Sequence, residues 1–259
     1  MPRLAANLSM MFNEVPFLDR FAAAGKAGFK AVEFLFPYEY PAADLRARLA
    51  DAGLTQALFN APPGDWGKGE RGLASLPGRQ GQFRDGIKQA LDYAVALDCP
   101  LVHVMAGIPP AGTPPVTPAA IYAANLAWAG EQALAAGKRI VLEPINHRDM
   151  PGFHLNTVEQ GAAVIDAIGR DRLGLQFDIY HCQITQGDVT KRMEALLPVI
   201  LHMQIADVPA RHEPGTGEIG WDYVFKRIDA LGYQGWVGCE YRPAGDTVAG
   251  LAWRERYGV

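Results

Sequence analysis

Disulfides, membrane spans and polyanion binding all find little support in this chain. Only three cysteines occur in 259 residues, Cys99, Cys182 and Cys239. They are odd in number, lie far apart and form no CxxC pair, which argues against a disulfide framework and fits thiols kept reduced. No stretch of about 18 apolar residues is present, so no membrane contact is expected. The opening MPRLAANLSMMFNEV carries one arginine and meets an acid at Glu14, unlike the charged-then-apolar layout of a cleaved export signal. The expected location is therefore cytoplasmic. Positive charge is not in excess either: 24 Lys and Arg stand against 28 Asp and Glu, a net charge of −4. That balance argues against a large phosphate-binding footprint and against nucleic acid as a partner. The six histidines do not fall into a zinc-cluster arrangement, and neither His147 nor His154 has metal spacing with another residue.

What is present is an alternation of two hydrophobic periods. Apolar, β-branched runs at Leu4–Ser9, Ala31–Phe36, Thr55–Asn60, Leu101–Gly107, Arg139–Asn146, Leu173–Tyr180, Ile200–Asp207 and Gly235–Tyr241 read as strands. Several are apolar almost throughout, as parallel strands buried on both faces are. Helical spacing marks Phe17–Ala27, Ala42–Ala52, Gln82–Leu97, Ala119–Ala136, Thr157–Ile168 and Trp221–Leu231. Gly28, Gly53 and Gly232 each follow a helical pattern and precede a strand, where a left-handed cap is useful. Eight strands at a mean repeat of about 32 residues give βα units, and the fold expected is a (β/α)₈ barrel. An open doubly wound sheet would carry a Gly-rich phosphate fingerprint after its first strand, and Asn7-Leu8-Ser9-Met10-Met11 is not one. No linker divides the chain, so residues 1–259 are expected to form one domain. The Gly- and Pro-rich segments Ala61–Arg79 and Ile108–Pro118 fall where βα loops build the active face.

Polar residues that end otherwise apolar strands carry the chemistry. Glu143, Asp178, Gln204 and Glu240 lie 35, 26 and 36 residues apart, each step close to one βα unit. Alone, any of them reads as a helix cap or an ion-pair partner. On four consecutive barrel strands they converge. Three ionised carboxylates in one dry pocket repel unless a cation compensates, and oxygen donors suit a hard divalent ion such as Mg²⁺ or Mn²⁺. Around them stand candidates for substrate binding, each with a plainer alternative. His181 contacts a substrate oxygen or orients a carboxylate. Arg211 and His212 hold a substrate carboxylate, which arginine matches as a fork, unless Glu213 locks Arg211. In the Glu70-Arg71 pair, Arg71 is a second candidate for the acid group, or the two form a solvated surface pair. His103 points into the barrel or is a satisfied core histidine. Trp66 walls the pocket, whereas Trp221 packs a helix start.

These residues sit in stretches that resemble the hydroxypyruvate isomerase family of xylose-isomerase-like barrels. The stretches are Leu142-Glu143-Pro144-Ile145-Asn146, Phe177-Asp178-Ile179-Tyr180-His181, His202-Met203-Gln204-Ile205-Ala206-Asp207, Arg211 to Ile219 and Gly238-Cys239-Glu240-Tyr241. Ala6 to Phe12, Val32 to Tyr38, Pro63 to Trp66 and Gly69 to Gly72 join them, so the likeness spans nearly the whole chain. It implies a metal held by Glu143, Asp178, Gln204 and Glu240, with Glu143 and Glu240 exchanging the proton. Related sugar epimerases carry histidine where Gln204 stands; a neutral amide oxygen tilts the choice toward Mg²⁺ or Mn²⁺. The implied activity is an aldose–ketose type isomerisation of a small 2-oxo hydroxy acid through an enediolate. Hydroxypyruvate to tartronate semialdehyde comes first, and isomerisation of 2-oxo-tetronate is the alternative. A sugar epimerase or dehydratase, an abasic-site endonuclease and a non-catalytic sugar-acid-binding barrel are more remote readings. A homo-oligomer is left open.

Overall fold

The computed structural model describes residues 1–259. Eight parallel strands close on one another in sequence order. They are β1 (Arg3–Asn7), β2 (Ala31–Phe34), β3 (Thr55–Asn60), β4 (Leu101–His103), β5 (Arg139–Leu142), β6 (Leu173–Asp178), β7 (Ile200–Ile205) and β8 (Trp236–Cys239). Closure is made by β1 on β8, with Arg3 opposite Trp236 and Ala6 opposite Cys239. No edge strand is left to recruit another chain.

Helices α1 (Phe17–Lys26), α2 (Ala42–Ala52), α3 (Gln80–Ala96), α4 (Val116–Ala135) and α5 (Val158–Ile168) follow the first five strands. Each presents an apolar stripe to the barrel wall; α1 buries Phe21 and Ala24, and Phe21 packs edge-on against Phe34 of β2. Their ends follow local chemistry. Thr157 and Gln160 form a reciprocal capping box at the start of α5, satisfying two amides that the helix cannot. Gly53 closes α2 at φ +63°, a conformation that costs a glycine nothing.

Between β6 and β7 the chain departs from the sequence expectation. The run Leu173–Tyr180 does not stay extended to its end: the strand stops at Asp178 and α6 (Ile179–Thr185) starts at the next residue. The Asp178 carboxylate accepts hydrogen bonds from the amides of Tyr180 at 2.8 Å and His181 at 3.4 Å. A second short helix, α7 (Val189–Leu196), fills the rest of the crossover. Strands β2, β4 and β5 also stop short of the apolar runs that announced them, because their last residues peel away into the loops of the mouth. After β7 comes α8 (Trp221–Ala230), and after β8 the short helices α9 (Thr247–Gly250) and α10 (Trp253–Tyr257). No helix is long and apolar enough to cross a membrane. All three cysteines are buried and unpaired.

Candidate active site at the barrel mouth

Register brings the polar strand ends to one level. Asn7 on β1 lies beside Glu33 on β2, Asn60 on β3 beside His103 on β4, and Asp178 on β6 beside Gln204 on β7. Glu143 and Glu240 are the first residues beyond β5 and β8. A ligand atom from each of Glu143, Asp178, His181 and Glu240 lies within 4.8 Å of the others, and all four residues are buried. Above them opens a cavity of about 510 Å³, lined by Trp66, Arg71, Asp149, Arg211 and Arg242 as well as by Glu143, His181 and Glu240.

Three carboxyls so close and so dry resist ionisation. Burial, then the neighbouring Glu240 and Asp178, raises Glu143 well above the usual carboxylate range. Burial moves Glu240 up to about 8 against the pull of Arg211. Asp178 rises to about 6 for the same reason, with Arg211 and two backbone amides opposing. Arg211 answers this charge. Its guanidinium is hydrogen-bonded to Glu240, lies 3.5 Å from Asp178 and crosses the face of Tyr180 at 4.9 Å. The expectation of a free fork for a substrate acid meets a residue already occupied by two carboxylates. Glu213 does not lock it; that carboxylate accepts from the amide of Ala244 at 3.0 Å.

His181 and His103 are neutral, and the tautomer of His181 follows from its partners. The backbone amide of Asn146 points at Nδ1 of His181 at 3.4 Å, with the Asn146 side-chain amide at 2.6 Å. Nδ1 is therefore the acceptor and Nε2 carries the proton, facing Asp178 at 3.5 Å and Glu143 at 3.8 Å. Burial and Arg211 hold its pKa well below the ordinary value. His103 has Nδ1 at 3.2 Å from Asn60 Oδ1 and 3.6 Å from Glu143, while burial lowers its pKa to about 3.

Gln204 occupies the expected position next to Asp178, but its amide is engaged. Its oxygen accepts from Gln176 at 2.6 Å and its nitrogen donates to Glu33 at 2.8 Å. Glu70 pairs with Arg79 rather than Arg71 and also accepts from the amide of Asp65 at 2.6 Å. Arg71 lies over the Trp66 ring at 3.8 Å and, like Arg242, has no carboxylate partner. His212 turns away from the cavity, with Nδ1 on the carbonyl of Arg242 at 2.7 Å.

Two backbone features hold the walls. The third and fourth βα loops press together at glycines. A Cβ on Gly72 would stand 2.2 Å from the carbonyl oxygen of Met105, and one on Gly107 would stand 2.5 Å from that of Gly72. On the other side Asp207 organises the segment that carries Arg211. Its carboxylate accepts from the amides of Gly215, Gly217 and Ile219 and from the Trp221 indole at 2.8–3.2 Å. Glu33, Asn7, Asn60 and Asp207 were given no role from sequence. For Glu33 the signal was there: a lone acid inside the apolar strand Ala-Val-Glu-Phe.

The donor set fits a hard divalent cation. Three carboxylates converge, and Glu143 Oε1 is buried with no hydrogen-bond partner, which a buried carboxylate oxygen rarely lacks.

Comparison with known proteins gives the family of the chain. A family model described as a xylose isomerase-like TIM barrel matches residues 21–257. The chain is 56% identical over 257 residues to the 2-oxo-tetronate isomerase of Cupriavidus necator, covering 99% of both chains. It is 46% identical to the hydroxypyruvate isomerase of Escherichia coli K12, covering 99% of this chain and 100% of that one. A crystal structure from Brucella melitensis, described as an AP endonuclease of family 2, superposes with a TM-score of 0.96 at 46% identity over 99% of both chains. The chain belongs to the xylose isomerase-like TIM barrel family.

Proposed function

We propose that this protein is a divalent-metal-dependent isomerase that shifts the carbonyl of a small 2-oxo hydroxy acid to the neighbouring carbon. The observation that carries the reading is the buried trio Glu143, Asp178 and Glu240, with one glutamate oxygen unpartnered, at the floor of an open cavity. Glu143, Asp178 and Glu240, with the amide oxygen of Gln204, would hold Mg²⁺ or Mn²⁺. When bound, the ion supplies a Lewis acid that offsets negative charge on two adjacent substrate oxygens.

The reaction needs no external oxidant. One carboxylate takes the proton from the hydroxyl-bearing C3, and the released electron pair forms the C2–C3 double bond while the C2 carbonyl oxygen takes the charge. Return of a proton to C2, with transfer of the hydroxyl proton from O3 to O2, leaves the carbonyl at C3. Glu143 and Glu240 are the two proton carriers. A carboxyl whose pKa is raised toward neutrality suits both halves of that exchange. Arg211 holds Glu240 in place, and Nε2–H of His181 is aimed at the carboxylates, within range of an oxygen bound between them. With Arg211 occupied, Arg71 and Arg242 at the rim receive the acid group of the substrate.

A four-carbon 2-oxo-tetronate is the preferred substrate within this reading. The 56% identity to a 2-oxo-tetronate isomerase supports it, and the cavity is roomy for three carbons. Hydroxypyruvate, suggested by the E. coli relative, is the second substrate to try. The test is isomerisation of each acid in D₂O with Mg²⁺ or Mn²⁺, repeated after chelation. Metal-dependent turnover with deuterium entering the product is expected, with the larger kcat/KM for the four-carbon acid. Full activity after verified removal of metal, or no turnover of either acid, overturns the proposal.

A further inference from the structure

Beneath the carboxylate trio lies a buried acid that the reaction does not use. Glu33 projects from β2 into the barrel and is 1% exposed. It crosses to β7 through space that β8 leaves open: a Cβ on Gly238, the register partner of Gln204, would stand 2.2 Å from the Glu33 carboxylate. Its two oxygens are fully engaged. Oε2 lies 2.5 Å from His202 Nε2, while Oε1 accepts from Gln204 Nε2 at 2.8 Å and Asn7 Nδ2 at 3.0 Å. The same Asn7 amide also reaches Glu240 Oε1 at 3.4 Å.

Hydrogen-bond polarity gives this arrangement a direction. Glu33 Oε1 is the acceptor in both amide contacts, so Glu33 fixes which end of each neighbouring amide faces it. Gln204 turns its nitrogen down to Glu33, leaving its oxygen, which accepts from Gln176 at 2.6 Å and keeps a second lone pair, as the only atom it can offer elsewhere. Asn7 likewise turns its nitrogen to Glu33 and to Glu240. His202 presents Nε2 to Glu33, and its Nδ1 has no partner in the structure.

We infer that Glu33 is a positioning residue for the metal site, orienting the Gln204 amide so that its oxygen is available as a ligand and holding Glu240 through Asn7. The inference rests on the reading of Gln204 as a ligand in the proposed isomerase. Replacing Glu33 by Gln removes the directional constraint with almost no change of volume. The Gln204 amide then populates both orientations, and one of them presents N–H groups to a cation.

The experiment is Mn²⁺ binding to the metal-free protein, followed by calorimetry and by electron paramagnetic resonance of the free ion, for wild type, Glu33→Gln and Gln204→Leu. Circular dichroism and thermal melting verify that each is folded. Weaker Mn²⁺ binding, by about tenfold to a hundredfold, is expected for both variants. In Glu33→Gln, kcat falls by a similar factor with KM for the acid little changed. The double variant is expected to lose less than the product of the two single losses, because the Glu33 effect on the Gln204 amide is already absent in Gln204→Leu and only the path through Asn7 to Glu240 is left. Wild-type affinity in Glu33→Gln, with weakened binding in Gln204→Leu, overturns the inference and leaves the isomerase reading intact. Wild-type affinity in Gln204→Leu removes the ligand role of Gln204 and the inference with it. Should Glu33→Gln fail to fold, the wild-type protein carries the test through its ¹⁵N-glutamine side-chain signals. A Gln204 amide pair protected from hydrogen exchange with and without Mn²⁺ supports the inference, and rapid exchange of that pair overturns it.

Discussion

The two halves of the barrel face the same space with different chemistry. Strands β5 to β8 deliver Glu143, Asp178, Gln204 and Glu240 to the mouth. Strands β1 to β4 deliver Asn7, Glu33, Asn60 and His103, of which only Glu33 is an acid, and it is turned down to the floor. The acids of the second half stand at or just past their strand ends, next to loops that can also supply Arg211 and His181. The polar groups of the first half mostly bond to one another, as Asn60 does to His103 and Asn7 to Glu33. Under the proposed function the second half would react, and the first half would set the orientation of what reacts.

The largest expected effects lie in the second half. Glu143→Gln and Glu240→Gln should each lower kcat by about 10³-fold, within the usual range for losing a positioned acid–base group. Steady-state kinetics with metal content measured in parallel checks this, and a variant with full turnover and bound metal would remove that glutamate from the proton path. Next come the rim arginines. Arg71→Ala and Arg242→Ala should raise KM for the acid by about tenfold or more while kcat holds, as loss of a charged hydrogen bond predicts. An unchanged KM in both would return the acid-binding role to Arg211. The first half should be gentler on chemistry: His103→Gln is expected to lower kcat by about tenfold through loosened support of Glu143. A loss as large as that of Glu143→Gln would erase the distinction between the halves.

The pH dependence sharpens the same contrast. Asp178 and Glu240 have folded-state pKa values raised to about 6 and about 8 by burial, above those of the unfolded chain. These two groups therefore bind more protons in the folded metal-free protein than in the unfolded one, and their contribution to stability declines as pH rises through the raised values, whereas the depressed pKa values of buried His103 and His181 oppose them below about pH 6.5. Mn²⁺ competes with those protons, so its affinity should climb between about pH 6 and pH 8. Melting temperatures across that range, with and without Mn²⁺, test both slopes. A stability of the metal-free protein that rises between about pH 7 and pH 8, above the ordinary histidine range, would mean that Arg211 neutralises the trio fully. The smallest effect on activity should come from Trp221→Phe, which removes one donor to Asp207 and costs about 2 kcal/mol of stability, with kcat little altered. Thermal melting together with kinetics measures it.

The same halves differ in how far they can be read from sequence. Acids that close apolar strands at βα spacing stand out, because each conflicts with its surroundings and the conflict repeats. The barrel was legible for a similar reason: apolar runs and helical stripes alternate along the whole chain. Helix α6 was not, since Ile179 and Tyr180 continue an apolar strand pattern and only the carboxylate of Asp178 turns the chain. Its two hydrogen bonds to following amides give Asp178 the cap role that a lone acid suggests, at the same position as the proposed ligand. The partners of Arg211 were hidden too, since an arginine after β7 reads equally as a substrate fork or as a counter-ion. Only the proximity of Glu240 and Asp178 decides between these. Asn7 and Asn60 gave no warning, because an amide at a strand end is ordinary until its neighbour across the ladder is known.

The glycine contact between the third and fourth βα loops limits how this enzyme scaffold could change. With Gly72 and Gly107 touching backbone to backbone, neither loop can accept a side chain there without parting from the other, so the wall bearing Trp66 and Arg71 has little freedom to drift. The opposite rim is held as well: the amide of Arg242 donates to the carbonyl of Arg211 at 2.9 Å, and a Cβ on Gly217 would stand 1.9 Å from the carbonyl oxygen of Val208. Relatives that admit a longer or bulkier acid are expected to keep the glycines and both arginines and to differ at cavity side chains without those duties, such as Met10, Met150 and Ala210, which are the positions for directed evolution to randomise.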